Sequence, residues 1–138
     1  MKNIEHIGIA VRNLQESIPL FESLLNTPCY KTESVESEHV NTAFFQQGET
    51  KIELLESSNP EGVISKFIEK KGEGIHHIAF EVEDILNEMK RLSAAGFQLL
   101  NEKPKRGADD KWVCFLHPKG TKGVLVEICQ SVRTTDSF

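Results

Sequence analysis

A chain of 138 residues with 38% apolar and 27% charged side chains has the length of one domain and the composition of a globular one. Its formal net charge of -5 excludes the broad basic surface of a general nucleic-acid binder. Three cysteines without a CxxC pair read as free thiols, and neither a signal peptide nor a membrane-length apolar run is visible, so the expectation is a cytoplasmic protein.

The alternating, β-branched stretch Ile4 to Val11 predicts a strand. Asn13 is placed to cap a helix whose Leu14, Ile18, Phe21 and Leu25 share one face, with Pro19 inside it as a bend. Thr42 to Gln46 and Lys51 to Glu56 form a hairpin pattern turning at Gly48-Glu49. The turn-rich SSNPEG then opens a connector with a short helix over Val63, Ile64, Phe67 and Ile68 that stops at Gly72. Ile75 to Val82 predicts a second initial strand, and Asp84 caps a helix bearing Ile85, Met89 and Leu92 that ends at Gly96. Phe97 to Leu100 is a possible strand before a polar loop from Asn101 to Lys111. Trp112 to Leu116 and Gly123 to Gln130 are strands joined by HPKGTKG, and residues 131–138 read as a loose tail.

This order is a repeat. His6 opens HIGIAV as His77 opens HIAFEV, and Glu53 follows the first histidine at nearly the separation at which Glu127 follows the second. Strand alternation places Ile7, Ile9 and Val11 on one face and His6, Gly8 and Ala10 on the other. The same parity sets His77, Ala79 and Glu81 against Ile78, Phe80 and Val82. Glu53 opposes Ile52 and Leu54, and Glu127 opposes Val124, Val126 and Ile128. Each candidate ligand thus lies opposite an apolar stripe that packs on helices. Two imidazoles and two carboxylates suit a divalent metal: Co²⁺, Mn²⁺, Zn²⁺ and Mg²⁺ all tolerate the set, and the imidazoles favour the transition metals. His76 falls on the other face from His77, and His39 lies in a polar stretch. The architecture expected is α+β, one domain over 1–130 with βαβββ modules at about 3–57 and 74–130 and a connector at about 58–73.

These residues resemble the vicinal oxygen chelate, or glyoxalase/bleomycin-resistance, superfamily over residues 3–130, whose paired modules form a partly open mixed β-barrel around a metal. Within it, GEGIHHIAFEV, EKPKRGADDKWVCFLHPKGTKGVLVEICQ and TKIELLE are similar to the methylmalonyl-CoA epimerase family. The resemblance implies His6, Glu53, His77 and Glu127 as metal ligands, a homodimer, and epimerisation of an acyl-CoA by α-proton abstraction. Glu127 is the first candidate base and Glu53 the second, because metal-bound imidazoles have already donated the reactive lone pair. Certain relatives carry an additional catalytic Glu where Thr42 stands here. Lys103, Lys105, Arg106, Lys111, Lys119 and Lys122 gather positive charge around two loops, and Lys119 and Arg106 are the candidate contacts for coenzyme A phosphates. The alternatives are a glyoxalase-I-like lactoylglutathione lyase and a metal-free drug-binding resistance protein. Four ligand-type residues count against the latter.

Overall fold

The computed structural model describes all 138 residues. The chain forms two compact units, His6–His76 and Met1–Glu5 with His77–Phe138. The first contains β1 (Ile4–Ala10, whose first two residues group with the other unit), α1 (Leu14–Leu25), β2 (Lys31–Val35), β3 (Val40–Gln47), β4 (Thr50–Ser57) and α2 (Val63–Lys71). Its strands run in the order β2-β3-β4-β1, with β1 parallel to β4 and the other pairs antiparallel. The second contains β5 (Gly74–Glu81), α3 (Ile85–Ala94), β6 (Lys105–Gly107), β7 (Lys111–Leu116) and β8 (Val126–Ser131), ordered β5-β8-β7-β6 with β5 parallel to β8. Both follow the βαβββ order. No helix is long and apolar enough to cross a membrane.

Local chemistry sets the helix ends. The Asn13 side chain accepts the Glu16 N–H at 3.0 Å, and α1 stops where Asn26 turns left-handed at φ 50°. Pro19 sits within α1 without ending it. Asp84 caps α3 in the same way, accepting the Asn87 N–H at 3.1 Å. Leu14, Ile18, Phe21 and Leu25 of α1 cover Val11, Ala43, Phe45 and Leu54. In the second unit Ile85, Met89 and Leu92 of α3 pack on Val82, Cys114, Leu116 and Ile128. The predicted apolar stripes are therefore the helix-covered faces.

A second repeat ties each helix to the strand behind it. Glu56 Oε2 accepts the Leu14 N–H at 2.9 Å, and Gln130 Oε1 accepts the Ile85 N–H at 2.8 Å. Both acceptors lie three residues beyond a candidate acid, Glu53 or Glu127. An odd offset in a strand puts them on the helix side. Each helix start is thereby pinned to the strand that carries the acid.

Three features differ from the sequence pattern. β2 was not predicted, because KTESV alternates charged and small polar residues at a sheet edge. Phe97 to Leu100 yields only a single bridge from Leu99 to Leu116, whereas β6 forms inside the supposed loop. The connector helix α2 forms where the sequence places it and ends at Gly72, and its Ile64, Phe67 and Ile68 pack on Ala10 and Leu55 of the face opposite α1. Residues 131–138 are docked rather than loose. Asp136 accepts the Trp112 indole N–H at 2.9 Å and the Arg133 N–H at 2.7 Å, and Phe138 meets the Trp112 ring edge-on.

Gln130→Met keeps the volume but leaves the buried Ile85 N–H without an acceptor. The expected cost is about 1–3 kcal/mol, read as a lower urea midpoint at unchanged m value.

Candidate active site

Register and alternation together build the site. In the first unit Gly8 lies beside Glu53, and Glu53 lies opposite Phe44. His6, two residues before Gly8, shares that face. His6 Nδ1 stands 3.1 Å from Glu53 Oε2, with the two side chains only 6% and 4% exposed. The second unit repeats the pattern with Ala79 beside Glu127 and Glu127 opposite Phe115. His77 Nε2 stands 3.4 Å from Glu127 Oε1, both side chains 6% exposed, and the imidazole meets the Phe115 ring edge-on at 5.6 Å between centroids. Each unit thus carries one buried His–Glu pair with a phenylalanine beside the acid.

The donor chemistry fits a divalent ion. A neutral imidazole offers a nitrogen lone pair and a carboxylate an anionic oxygen, and burial of both leaves each costly without a strong electrostatic partner. An imidazole facing a carboxylate is one such partner. An ion between such groups is a stronger one.

Other residues sort by face. His76 turns away from the site face to meet Phe67 of α2 edge-on at 4.9 Å. Burial, and then the neighbouring Lys71 charge, lowers its pKa to about 4. Thr42 is fully buried opposite Leu55, on the face of Glu53, and its hydroxyl has no hydrogen-bond partner. Leaving a buried hydroxyl unpaired is unfavourable, so this position has another reason to be polar.

The two proposed phosphate contacts lie elsewhere. Arg106 pairs in register with Trp112 on the helix-side face, its guanidinium 5.3 Å from the indole centroid and ion-paired with Asp110. Lys119 is exposed on the turn after β7, where its backbone N–H donates to His117 Nδ1 at 3.0 Å. Lys105, which the sequence pattern left among loop charges, stands on the site face instead. It pairs with Val113, and its Nζ lies 5.8 Å from the Phe115 ring centroid. Alternation could have found it, but only once β6 was known to be a strand. Cys29, Cys114 and Cys129 are free thiols, and burial raises the Cys114 pKa.

Comparison with known proteins agrees with this geometry. Residues 5–115 match the family described as the Glyoxalase/Bleomycin resistance protein/Dioxygenase superfamily. The chain is 39% identical to an ethylmalonyl-CoA/methylmalonyl-CoA epimerase of Cereibacter sphaeroides, covering 92% of this chain and 96% of that one. It is also 39% identical to a mitochondrial methylmalonyl-CoA epimerase of Dictyostelium discoideum, over 91% of this chain and 76% of that protein. A solved methylmalonyl-CoA epimerase in complex with methylmalonyl-CoA and NH4+ superposes with a TM-score of 0.91 at 29% identity, covering 99% of both chains.

Two expectations follow from the face assignments. Thr42→Val, nearly isosteric, removes the unpaired hydroxyl and raises the stability of the ligand-free protein by about 1 kcal/mol, measured by urea denaturation. His76 is held neutral when folded, so its contribution is intact above the ordinary histidine value of 6.5. Below that value the unfolded chain takes up a proton that the folded chain refuses, so stability falls as pH drops from 6.5 towards about 4. His76→Phe flattens that part of the stability–pH curve.

Proposed function

We propose, for a chain that belongs to the Glyoxalase/Bleomycin resistance protein/Dioxygenase superfamily, that it interconverts the (R) and (S) epimers of methylmalonyl-CoA. The observation that carries this reading is the duplicated, buried His–Glu pair in a chain similar along nearly its whole length to enzymes of that name. A resistance protein that only sequesters a drug needs neither pair. A lactoylglutathione lyase uses similar donors, but the relatives named above act on acyl-CoA substrates.

His6, Glu53, His77 and Glu127 are the residues that hold the divalent ion in this reading. Such an ion supplies Lewis-acid stabilisation of the negative charge that develops on the substrate oxygens, worth several kcal/mol. The remaining chemistry belongs to the side chains. The proton to be moved sits on the carbon between the thioester and the carboxylate, where its loss gives an enolate. Glu127 accepts that proton at its carboxylate, and the enolate carbon then takes a proton on the opposite face. The proton returned is the one Glu127 has taken, delivered after the enolate turns its other face; Glu53, the equivalent acid of the other module, is the second candidate for the same exchange. His6 and His77 bind and orient only. Phe44 and Phe115, opposite the two acids in register, keep bulk water away from them.

Co²⁺ as the ion, pairing of two chains into a homodimer and a cytoplasmic setting complete the proposal. Lys119 remains an exposed candidate for a coenzyme A phosphate. Arg106, on the helix-side face, serves that role only from outside the site.

Proton NMR of methylmalonyl-CoA in D₂O is the test. The metal-loaded protein is expected to remove the α-proton signal far faster than the uncatalysed drift. Glu127→Gln is expected to slow that loss by on the order of 10²–10⁴. No acceleration by protein with verified bound metal overturns the reading and directs the search to glutathione hemithioacetals.

A further inference from the structure

The two modules are equivalent in register but not in charge. Thr42 and Val113 occupy the same place, each two residues before the phenylalanine that faces the acid. Their outer neighbours across the next strand pair are Glu33 in the first module and Lys105 in the second. One acidic position therefore corresponds to one basic position on the two site faces.

The lysines on these faces have different settings. In the first module Lys31 lies 4.6 Å from the Phe44 centroid, but Glu33 stands 3.5 Å from its Nζ, so that edge is balanced in charge. In the second module Lys111 is buried, donates to Ser131 Oγ at 2.9 Å, and has Glu5 at 3.9 Å. Lys105 lies over Phe115, the ring that touches His77 and faces Glu127. It is half-buried, on a three-residue strand that fixes its direction. An ammonium held over an aromatic face beside a buried His–Glu pair is a site for an anion brought in by a ligand.

We propose that Lys105 binds the free carboxylate of the acyl group and is the residue that selects malonyl-type thioesters over simple acyl thioesters. This rests on the acyl-CoA reading above. The substrate differs from an ordinary acyl-CoA by that single negative group. A contact from Lys105 to that group tells the carboxylate end of the β-dicarbonyl from its thioester end.

The test compares malonyl-CoA with acetyl-CoA, which differ only in the carboxylate, as ligands of the metal-loaded protein and of the metal-depleted protein. Dissociation constants come from calorimetry. Wild type is expected to prefer malonyl-CoA in both forms. Lys105→Met is expected to reduce that preference about tenfold in each, a loss of one charge-assisted contact, while acetyl-CoA binding stays within about twofold. Lys105→Arg is expected to restore the preference and shows that a folded variant is being measured. Equal weakening of both ligands overturns the proposal, because Lys105 would then be touching coenzyme A itself. An unchanged preference overturns it as well. A wild-type protein that fails to exchange the α-proton of methylmalonyl-CoA removes the epimerase reading. Loss of malonyl preference in Lys105→Met would still stand as evidence for the carboxylate site.

Discussion

Parallel pairing of the first and last strands of each module is the constraint from which the site follows. Because β1 runs parallel to β4 with Gly8 beside Glu53, alternation leaves His6 only one face, and it is the face of the acid. The same holds for β5 and β8, where Ala79 lies beside Glu127. A one-residue slip in either pairing would send the histidine to the helix side and the acid to the other. What prevents the slip is the opposite face: Leu54 and Ile128 are fully buried against α1 and α3, and the Glu56 and Gln130 acceptors hold the helix starts. The apolar core thus specifies the polar site, although it contributes no atom to it.

Burying a carboxylate and an imidazole together runs against the stability of the fold. Each charge taken from water costs several kcal/mol unless strongly partnered, and the chain does this twice. The unpaired hydroxyl of Thr42 adds a smaller penalty in the same region. Concentration of unfavourable polar burial on one face of each module, beside well-packed helix faces, is the pattern of a surface shaped for a ligand. His76 shows the contrasting case: a histidine beside a site residue whose partners are an aromatic ring and a lysine, and whose proton affinity is lowered by burial.

Much of this was legible in the sequence. Parity along HIGIAV, KIELLE, HIAFEV and VLVEICQ separated site from core, because period-two alternation needs no tertiary information once a strand is recognised. The helix caps Asn13 and Asp84 were legible for the same reason: an N-cap acts within three residues. The edges were not. β2 is a polar edge strand and β6 has three residues, so neither presents an apolar alternation to read, and Lys105 and Arg106 could not be assigned to opposite faces. The tail escaped because its anchor, the Trp112 indole, lies on a strand 24 residues upstream of Asp136, and only the fold brings them together.

The central claim is that the two His–Glu pairs, one from each module, serve a single divalent ion. Co²⁺ titration followed by calorimetry and by the visible spectrum of the bound ion tests it most directly, using wild type, His6→Gln and His77→Gln. The account predicts one equivalent per chain in wild type and a large loss of affinity in both variants, since each removes a ligand from the same ion. Two equivalents in wild type, or one ion retained at full affinity in either variant, would contradict it.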